Sequence, residues 1–170
     1  MDAVAQGATD GMKLFLSIIA MVVVALALVA LADMILDVAI PTFGGEAVTL
    51  KKVFGCIMAP IAWLMGIPWS EATVAGGILG TKTALNELVA FITLANTPQE
   101  NLSDHSNVIM TYALCGFANL SSIGIQIGGI GAMVPERRTE IISLGVKALI
   151  AGTLASCMSG TLAGLLWWWN

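Results

Sequence analysis

Residues 80–87 read Gly-Thr-Lys-Thr-Ala-Leu-Asn-Glu and place two charged side chains, Lys82 and Glu87, inside a long apolar stretch of the chain. An ionisable group at membrane depth costs roughly 2.5–3.5 kcal/mol on insertion scales. Such groups usually face the interior of a helix bundle or a water-filled cavity. This segment is therefore the first candidate for a binding site, and it favours a transporter.

The composition indicates an integral membrane protein. Of its 170 residues, 58% are hydrophobic and 11% are charged, and the mean hydropathy is +0.91. A soluble domain carries about 25% charged residues, so this chain has too few polar side chains to cover a water-soluble globule. We expect the lipid bilayer as a partner, and because no basic patch is present we expect no nucleic-acid partner.

The sequence lacks the signatures of metal sites and of common enzyme mechanisms. Cys56, Cys115 and Cys157 are scattered and form no CxxC pair, so neither a disulfide framework nor a metal site is predicted. There is no HExxH or GxSxG motif and no pair of catalytic carboxylates. His105, next to Asp104, is interpreted as a solvated loop residue. We predict a protein that is not an enzyme and carries no cofactor.

Hydropathy along the chain predicts an all-α membrane protein. The charge-free run within residues 1–36 is long enough to span about 30 Å of hydrocarbon and predicts a transmembrane helix. After a turn at residues 41–45, residues 50–66 begin with lysines and end near a tryptophan, which predicts an interfacial or short re-entrant helix. Residues 138–169 form the last predicted transmembrane helix and end in an aromatic anchor, Trp167, Trp168 and Trp169.

Two further segments are apolar but interrupted by polar residues. Residues 69–95 contain two half-length helical patterns joined by a polar turn at 81–86, which predicts a re-entrant helical hairpin. Residues 104–134 are predicted as a transmembrane helix broken at 116–122, because Asn, Ser and Gly favour local turns over helix. Discontinuous helices of this kind are typical of one half of an inverted-repeat transporter fold.

The polar residues of these two interruptions form the candidate site. Most are neutral hydrogen-bond formers, with one acid, and such a set suits a polyhydroxyl ligand better than an anion. The hairpin contributes Thr81, Lys82, Thr83, Asn86 and Glu87, and the broken helix contributes Asn119, Ser121, Ser122 and Gln126.

Structural roles compete with each assignment. Lys82 and Glu87 can form a buried pair across the hairpin turn, and Asn119 can satisfy loose backbone at the helix break. For the remaining candidates the alternative is core or helix packing: Phe117, Ser121, Ser122 and Gln126.

The charged loop near Arg137 and Arg138 sets the predicted topology. Cytoplasmic loops are enriched in Lys and Arg, so this loop is placed inside the cell, the C-terminus outside, and the hairpin opening towards the outside. Lys51 and Lys52 fit this orientation less well, because they would lie near the outer interface.

Two long motifs in the chain resemble those of concentrative nucleoside transporters. Residues 80–91, Gly-Thr-Lys-Thr-Ala-Leu-Asn-Glu-Leu-Val-Ala-Phe, resemble the family's second-hairpin motif. Residues 115–129, Cys-Gly-Phe-Ala-Asn-Leu-Ser-Ser-Ile-Gly-Ile-Gln-Ile-Gly-Gly, resemble its broken-helix motif. Residues 58–69 and 135–138 match as well, so the resemblance covers nearly the whole chain.

The resemblance implies a multi-pass symporter of the bacterial inner membrane, a homotrimer that moves nucleosides inward with sodium or protons. It implies that Glu87, Asn119 and Ser122 bind the ribose and that Phe117 lines the nucleoside pocket. Possible lining residues of the same site are Thr81, Lys82, Thr83, Asn86 and Ser121.

The resemblance is confined to the C-terminal part of the family's sequence. The first hairpin, the base-recognising residues and the coupling-ion site are expected in an N-terminal half with no counterpart in these residues. We expect a fragment, a truncated gene product or one half of a split transporter, which does not transport alone.

Two alternative functions stay open at this point. One is a non-transporting membrane scaffold or accessory subunit, favoured by the small-residue pairs Gly124/Gly128 and Gly160/Gly164, which promote helix association. The other is an elevator-type carrier of another small polar solute such as a carboxylate, which the lack of arginine in the candidate site disfavours.

Overall fold

The computed structural model describes residues 1–39 and 48–167, and every regular element in that part of the chain is helical. The predicted turn at 41–45 and the last two residues of the aromatic anchor lie outside the described residues. In chain order the helices are α1 (Asp2–Ala39), α2 (Leu50–Leu64), α3 (Trp69–Ala84), α4 (Glu87–Ala95), α5 (Asp104–Leu114), α6 (Leu120–Met133) and α7 (Arg138–Leu166), with a 3₁₀ turn at Pro135–Arg137 before α7.

Two long helices, α1 and α7, flank the shorter ones. Among the described residues, one helix, Pro135–Leu166, is long and apolar enough by length and composition to span a bilayer. Apolar side chains stay exposed along both helices, as at Phe15, Leu28, Leu154 and Leu162. Lipid-facing helices require such exposed apolar surface, whereas a soluble protein would bury it.

The interior forms where α2 packs against α3 at glycine positions. A Cβ atom on Gly76 would lie 2.6 Å from the backbone nitrogen of Ala59, and one on Gly55 would lie 3.2 Å from the Cα of Gly77. The backbones can approach this closely only because these positions lack side chains. The adjacent core residues Ala62 and Ala75 are fully buried.

A second close contact joins α5 to α7. A Cβ atom on Gly160 would lie 2.6 Å from the carbonyl oxygen of Ile109, and one on Gly164 would lie 2.5 Å from the Cγ1 of Ile109. Gly160 and Gly164, predicted to promote helix association, are buried and form this contact within the chain. His105 was predicted as a solvated loop residue, but it lies in the first turn of α5 with Nε2 3.1 Å from the oxygen of Gly164.

The hairpin is formed by α3 and α4, and its turn is shorter than predicted. Helix α3 continues through Ala84, so the polar residues at 81–83 lie in its last turn and only residues 85 and 86 connect the helices. The hydroxyls of Thr81 and Thr83 donate to the carbonyls of Gly77 and Leu79, each at 2.9 Å. Because the polar side chains are satisfied by the preceding turn, they do not end the helix.

The predicted broken helix corresponds to α5 and α6, separated by residues 115–119. Ser121 and Ser122, which were predicted within the interruption, lie in the first turn of α6. The interruption thus ends earlier than predicted, because α6 begins at Leu120 and not after residue 122. The last residue of the interruption, Asn119, caps α6.

Candidate functional site

Helix α4 begins in the interior of the hairpin, where Asn86 caps it. The Asn86 Oδ1 accepts a hydrogen bond from the backbone N–H of Val89 at 2.9 Å. This capping interaction satisfies one of the free N–H groups at a helix start. It also fixes Glu87 in the first turn, where the positive end of the helix dipole stabilises a carboxylate.

Helix α6 begins in a similar way at Asn119, but with a denser set of hydrogen bonds. The Asn119 Oδ1 accepts from the backbone N–H of Ser122 at 2.8 Å and from the Ser121 hydroxyl at 2.6 Å. The Ser122 hydroxyl accepts from the Asn119 N–H at 3.2 Å and donates to the Asn119 carbonyl at 2.6 Å. This reciprocal capping box holds the Asn119 side chain in one orientation.

The two helix starts are joined by a hydrogen bond from Asn119 to Glu87. The Asn119 Nδ2 donates to the Glu87 Oε2 at 3.0 Å. Within residues 1–39 and 48–167, the other carboxylate oxygen has no hydrogen-bond partner, and Glu87 is half-buried. The site therefore presents an oriented carboxylate with unused acceptor capacity, close to the N-termini of two helices.

A cavity of about 460 Å³ lies beside this pair, between the interruption and α7. Phe117 lies on its wall with 51% of its surface exposed. Ser122 and Gln126, one helical turn apart on α6, line the same cavity. Glu87 and Asn119 are not among the lining residues, and the Ser122–Asn119 contacts link them to the cavity wall.

The remaining predicted site residues do not line the cavity. Thr81 and Thr83 are buried and bonded within α3, and the Ser121 hydroxyl supports Asn119. Lys82 is also buried, and in the described part of the chain it forms no ion pair with Glu87. The alternative of a buried Lys82–Glu87 pair is therefore wrong.

Residues of α7 and of the end of α5 also line the cavity, although the sequence did not predict them as site residues. The cavity is lined by Tyr112 of α5 and by Cys115, the residue that follows α5. The lining residues from α7 are Ala148, Leu149, Gly152, Ala155, Ser156 and Ser159. The spacing of the small residues along one face of α7 was the available signal, but it does not specify which helix that face meets.

The fold and this site define a membrane transporter domain, in which short helices begin inside the protein around a single carboxylate. A family model described as "Na+ dependent nucleoside transporter C-terminus" matches residues 1–164. The chain belongs to this nucleoside transporter family and corresponds to its C-terminal part. The predicted family and the predicted all-α membrane fold are confirmed.

Individual relatives show the same coverage. Nucleoside permease NupC of Helicobacter pylori is 41% identical over 168 residues, covering 96% of this chain and 40% of the permease. The uncharacterized transporter YutK of Bacillus subtilis is 43% identical over 164 residues, with 96% and 40% covered. A variant of CNTnw in an outward-facing state matches with a TM-score of 0.87 and 38% identity over 97% of this chain and 42% of that chain. The chain thus spans about 40% of the length of these proteins.

Proposed function

We propose that this chain supplies the ribose-binding part of a transporter that moves nucleosides inward across the bacterial inner membrane, driven by a sodium or proton gradient. The observation that carries the proposal is the carboxylate of Glu87, which is bonded to Asn119 through one oxygen and has unused acceptor capacity on the other. Membership of the nucleoside transporter family supports a nucleoside as the solute.

The available hydrogen-bonding groups match the hydroxyls of ribose. A carboxylate accepts hydrogen bonds from hydroxyl groups, and the neighbouring Asn119 amide retains a second N–H that can donate to a ribose oxygen. The Ser122 hydroxyl is fixed by its two bonds to the Asn119 backbone and keeps the capacity to accept one further hydrogen bond. In this proposal Glu87, Asn119 and Ser122 bind the ribose.

Phe117 supplies a surface for the base. Its exposed ring lies on the wall of the cavity that Ser122 also lines, and aromatic rings stack on any nucleobase because every base has a π-face. Thr81, Thr83, Asn86 and Ser121 have the supporting role of holding the helix ends in place, since their side chains are bonded to backbone or to Asn119.

The charge of the site favours a neutral polyhydroxyl solute over a carboxylate. An anion would be repelled by Glu87, and the nearby ammonium of Lys82 is already bonded to protein oxygens. A small carboxylate is therefore the weaker candidate.

The complete transporter requires more than these residues. In the proposal, an N-terminal part supplies the first hairpin, the base-recognising residues and the site of the coupling ion. The assembly is a homotrimer, and the C-terminus of the chain lies outside the cell.

The cavity thiol of Cys115 allows a direct test of nucleoside binding. Cys115 lines the cavity with Phe117, whereas Cys56 is an exposed thiol on α2 outside this cavity and Cys157 is buried. We expect uridine to slow modification of Cys115 by a small thiol reagent while Cys56 reacts at its original rate. Protection should be lost in Glu87→Gln. If saturating uridine leaves Cys115 as reactive as before, the proposal is contradicted.

A further inference from the structure

The C-terminal end of α5 leaves backbone carbonyls without helical partners. Helix α5 ends at Leu114, so the carbonyls of its last turn cannot accept the usual bonds from residues four positions later. The N–H of Cys115 bonds to the carbonyl of Tyr112 at 3.2 Å. The carbonyl of Ala113, a fully buried residue, must find a donor elsewhere, because burying it unpaired would cost free energy.

Lys82 provides that donor from the last turn of α3. Its Nζ donates to the Ala113 carbonyl at 2.8 Å and to the Ser156 Oγ of α7 at 2.8 Å. The Ser156 hydroxyl in turn donates to the carbonyl of Thr153 at 3.0 Å. One ammonium group thus joins α3 to α5 and α7, through residues that are 31 and 74 positions away from Lys82 along the chain.

The surroundings of this ammonium resemble a cation site. Lys82 is 1% exposed, and within the described ranges 1–39 and 48–167 no carboxylate forms an ion pair with it. Its partners are a carbonyl oxygen at a helix C-terminus and a hydroxyl oxygen, groups of the kind that coordinate small cations at broken helices. The negative end of the α5 dipole favours positive charge at the same place.

The packing around the contact leaves little room for rearrangement. A Cβ atom on Gly116 would lie 2.6 Å from the Cβ of Ser156 and 3.4 Å from the Lys82 Nζ. Gly116 is the second residue of the interruption that carries Phe117 and Asn119. The ammonium therefore lies against the segment that forms the cavity wall.

We propose that Lys82 is a tethered cation that fills a cation-binding position at the C-terminal end of α5, and that its charge holds the α5–α6 interruption in place. Lys82 is thus a positioning residue that acts on the cavity through Ala113 and Ser156. The effect of Lys82 on nucleoside binding rests on the proposed function. The contacts of Lys82 and the rescue experiment do not depend on that function.

Chemical rescue distinguishes a tethered cation from a side chain that only fills space. Lys82→Ala removes the atoms from Cγ to Nζ, which correspond to propylammonium. The reporter is Cys157, which is 5% exposed and adjacent to Ser156, in protein purified in detergent with Cys56 and Cys115 replaced by Ser. Loss of two buried bonds to a charged group should raise the rate of Cys157 modification about tenfold. Propylammonium should restore protection, and uncharged propan-1-ol should not.

Two further variants complete the test. Lys147→Ala removes an exposed lysine of α7 and should leave Cys157 protected. Ser156→Ala removes one oxygen partner of the ammonium with little change in volume and should give a smaller rise in the rate of Cys157 modification. This variant tests the inference if Lys82→Ala does not fold. The inference is overturned if both Lys82→Ala and Ser156→Ala leave Cys157 protected, or if propan-1-ol restores protection as well as propylammonium. Because no nucleoside is used, a failure here is separate from a failure of uridine to protect Cys115.

Discussion

The last turn of α3 and the first turn of α4 each carry one charged residue, and the protein treats the two charges differently. Lys82 is fully buried and its ammonium is bonded to two protein oxygens. Glu87 is half-buried and has one bond, from Asn119. A buried charge that the protein satisfies has an architectural role, whereas a charge with unused capacity beside a cavity is available to a ligand.

The two charges are also stabilised by opposite ends of helices. The Lys82 side chain reaches from α3 to the C-terminus of α5, where cations are favoured. Glu87 lies at the N-terminus of α4, where anions are favoured. Each charge thus has a local source of stabilisation from a helix end. This explains why the two residues do not form the ion pair that their spacing first suggests.

The largest expected effect comes from removing the charge of Glu87. In Glu87→Gln, one carboxylate oxygen becomes an NH2 donor and the remaining oxygen is uncharged, so hydroxyl donors meet fewer and weaker acceptors. Uridine uptake should therefore fall about 100-fold or more, since bonds to a charged group contribute roughly 1.5–3 kcal/mol each. Uptake is measured in cells without other nucleoside carriers, for this chain joined to the N-terminal part of a relative. The exposed loop variant Glu100→Gln is the matched control and should transport normally; equal uptake in the two variants would remove the role of Glu87.

A smaller effect separates the two asparagine caps. Asp is as good an N-cap as Asn, so Asn86→Asp should keep both stability and transport. Asn119→Asp keeps the capping oxygen but brings a second carboxylate next to Glu87, where like charges repel. We expect the apparent affinity for uridine to fall roughly tenfold in Asn119→Asp, as measured by the concentration dependence of uptake. A similar loss in Asn86→Asp would show that capping alone explains the effect.

The smallest expected effect is at the cavity wall. Phe117→Leu removes an aromatic face but keeps an apolar side chain, so the loss should be near the 0.5–1.5 kcal/mol of an aromatic contact, or about fivefold in uridine affinity. Because Phe117 is half exposed, the melting temperature should change little. Phe15→Leu, at an exposed phenylalanine of α1, is the control and should leave both quantities unchanged. A drop in melting temperature confined to Phe117→Leu would indicate a packing role instead.

Much of the fold and the centre of the site could be predicted from the sequence. Asn119 and Glu87 are polar residues within apolar sequence, and such residues must either cap a helix or face a ligand, because lipid offers them no hydrogen bonds. The positions of the hairpin and of the broken helix follow from this argument.

The sequence could not predict contacts between distant residues. The bonds of Lys82 to Ala113 and Ser156 depend on how three helices pack, and no local pattern encodes that arrangement. The sequence pattern also predicted an end of α3 that is too early. The threonines in its last turn donate their hydroxyl hydrogen bonds to carbonyls of the same helix, so they do not interrupt it. Likewise, the Gly160/Gly164 pair indicates a close helix contact but does not specify whether its partner lies in the same chain.

The most direct test of the central claim is a comparison of uridine with 2′,3′-dideoxyuridine in equilibrium binding to purified wild-type protein and Glu87→Gln. If Glu87 accepts the ribose hydroxyls, wild type should prefer uridine by about 100-fold or more, since two bonds to a charged group contribute roughly 3 kcal/mol at the least, and Glu87→Gln should lose most of that preference. If Glu87→Gln retains the wild-type preference, the ribose is bound elsewhere and the account of this site is wrong.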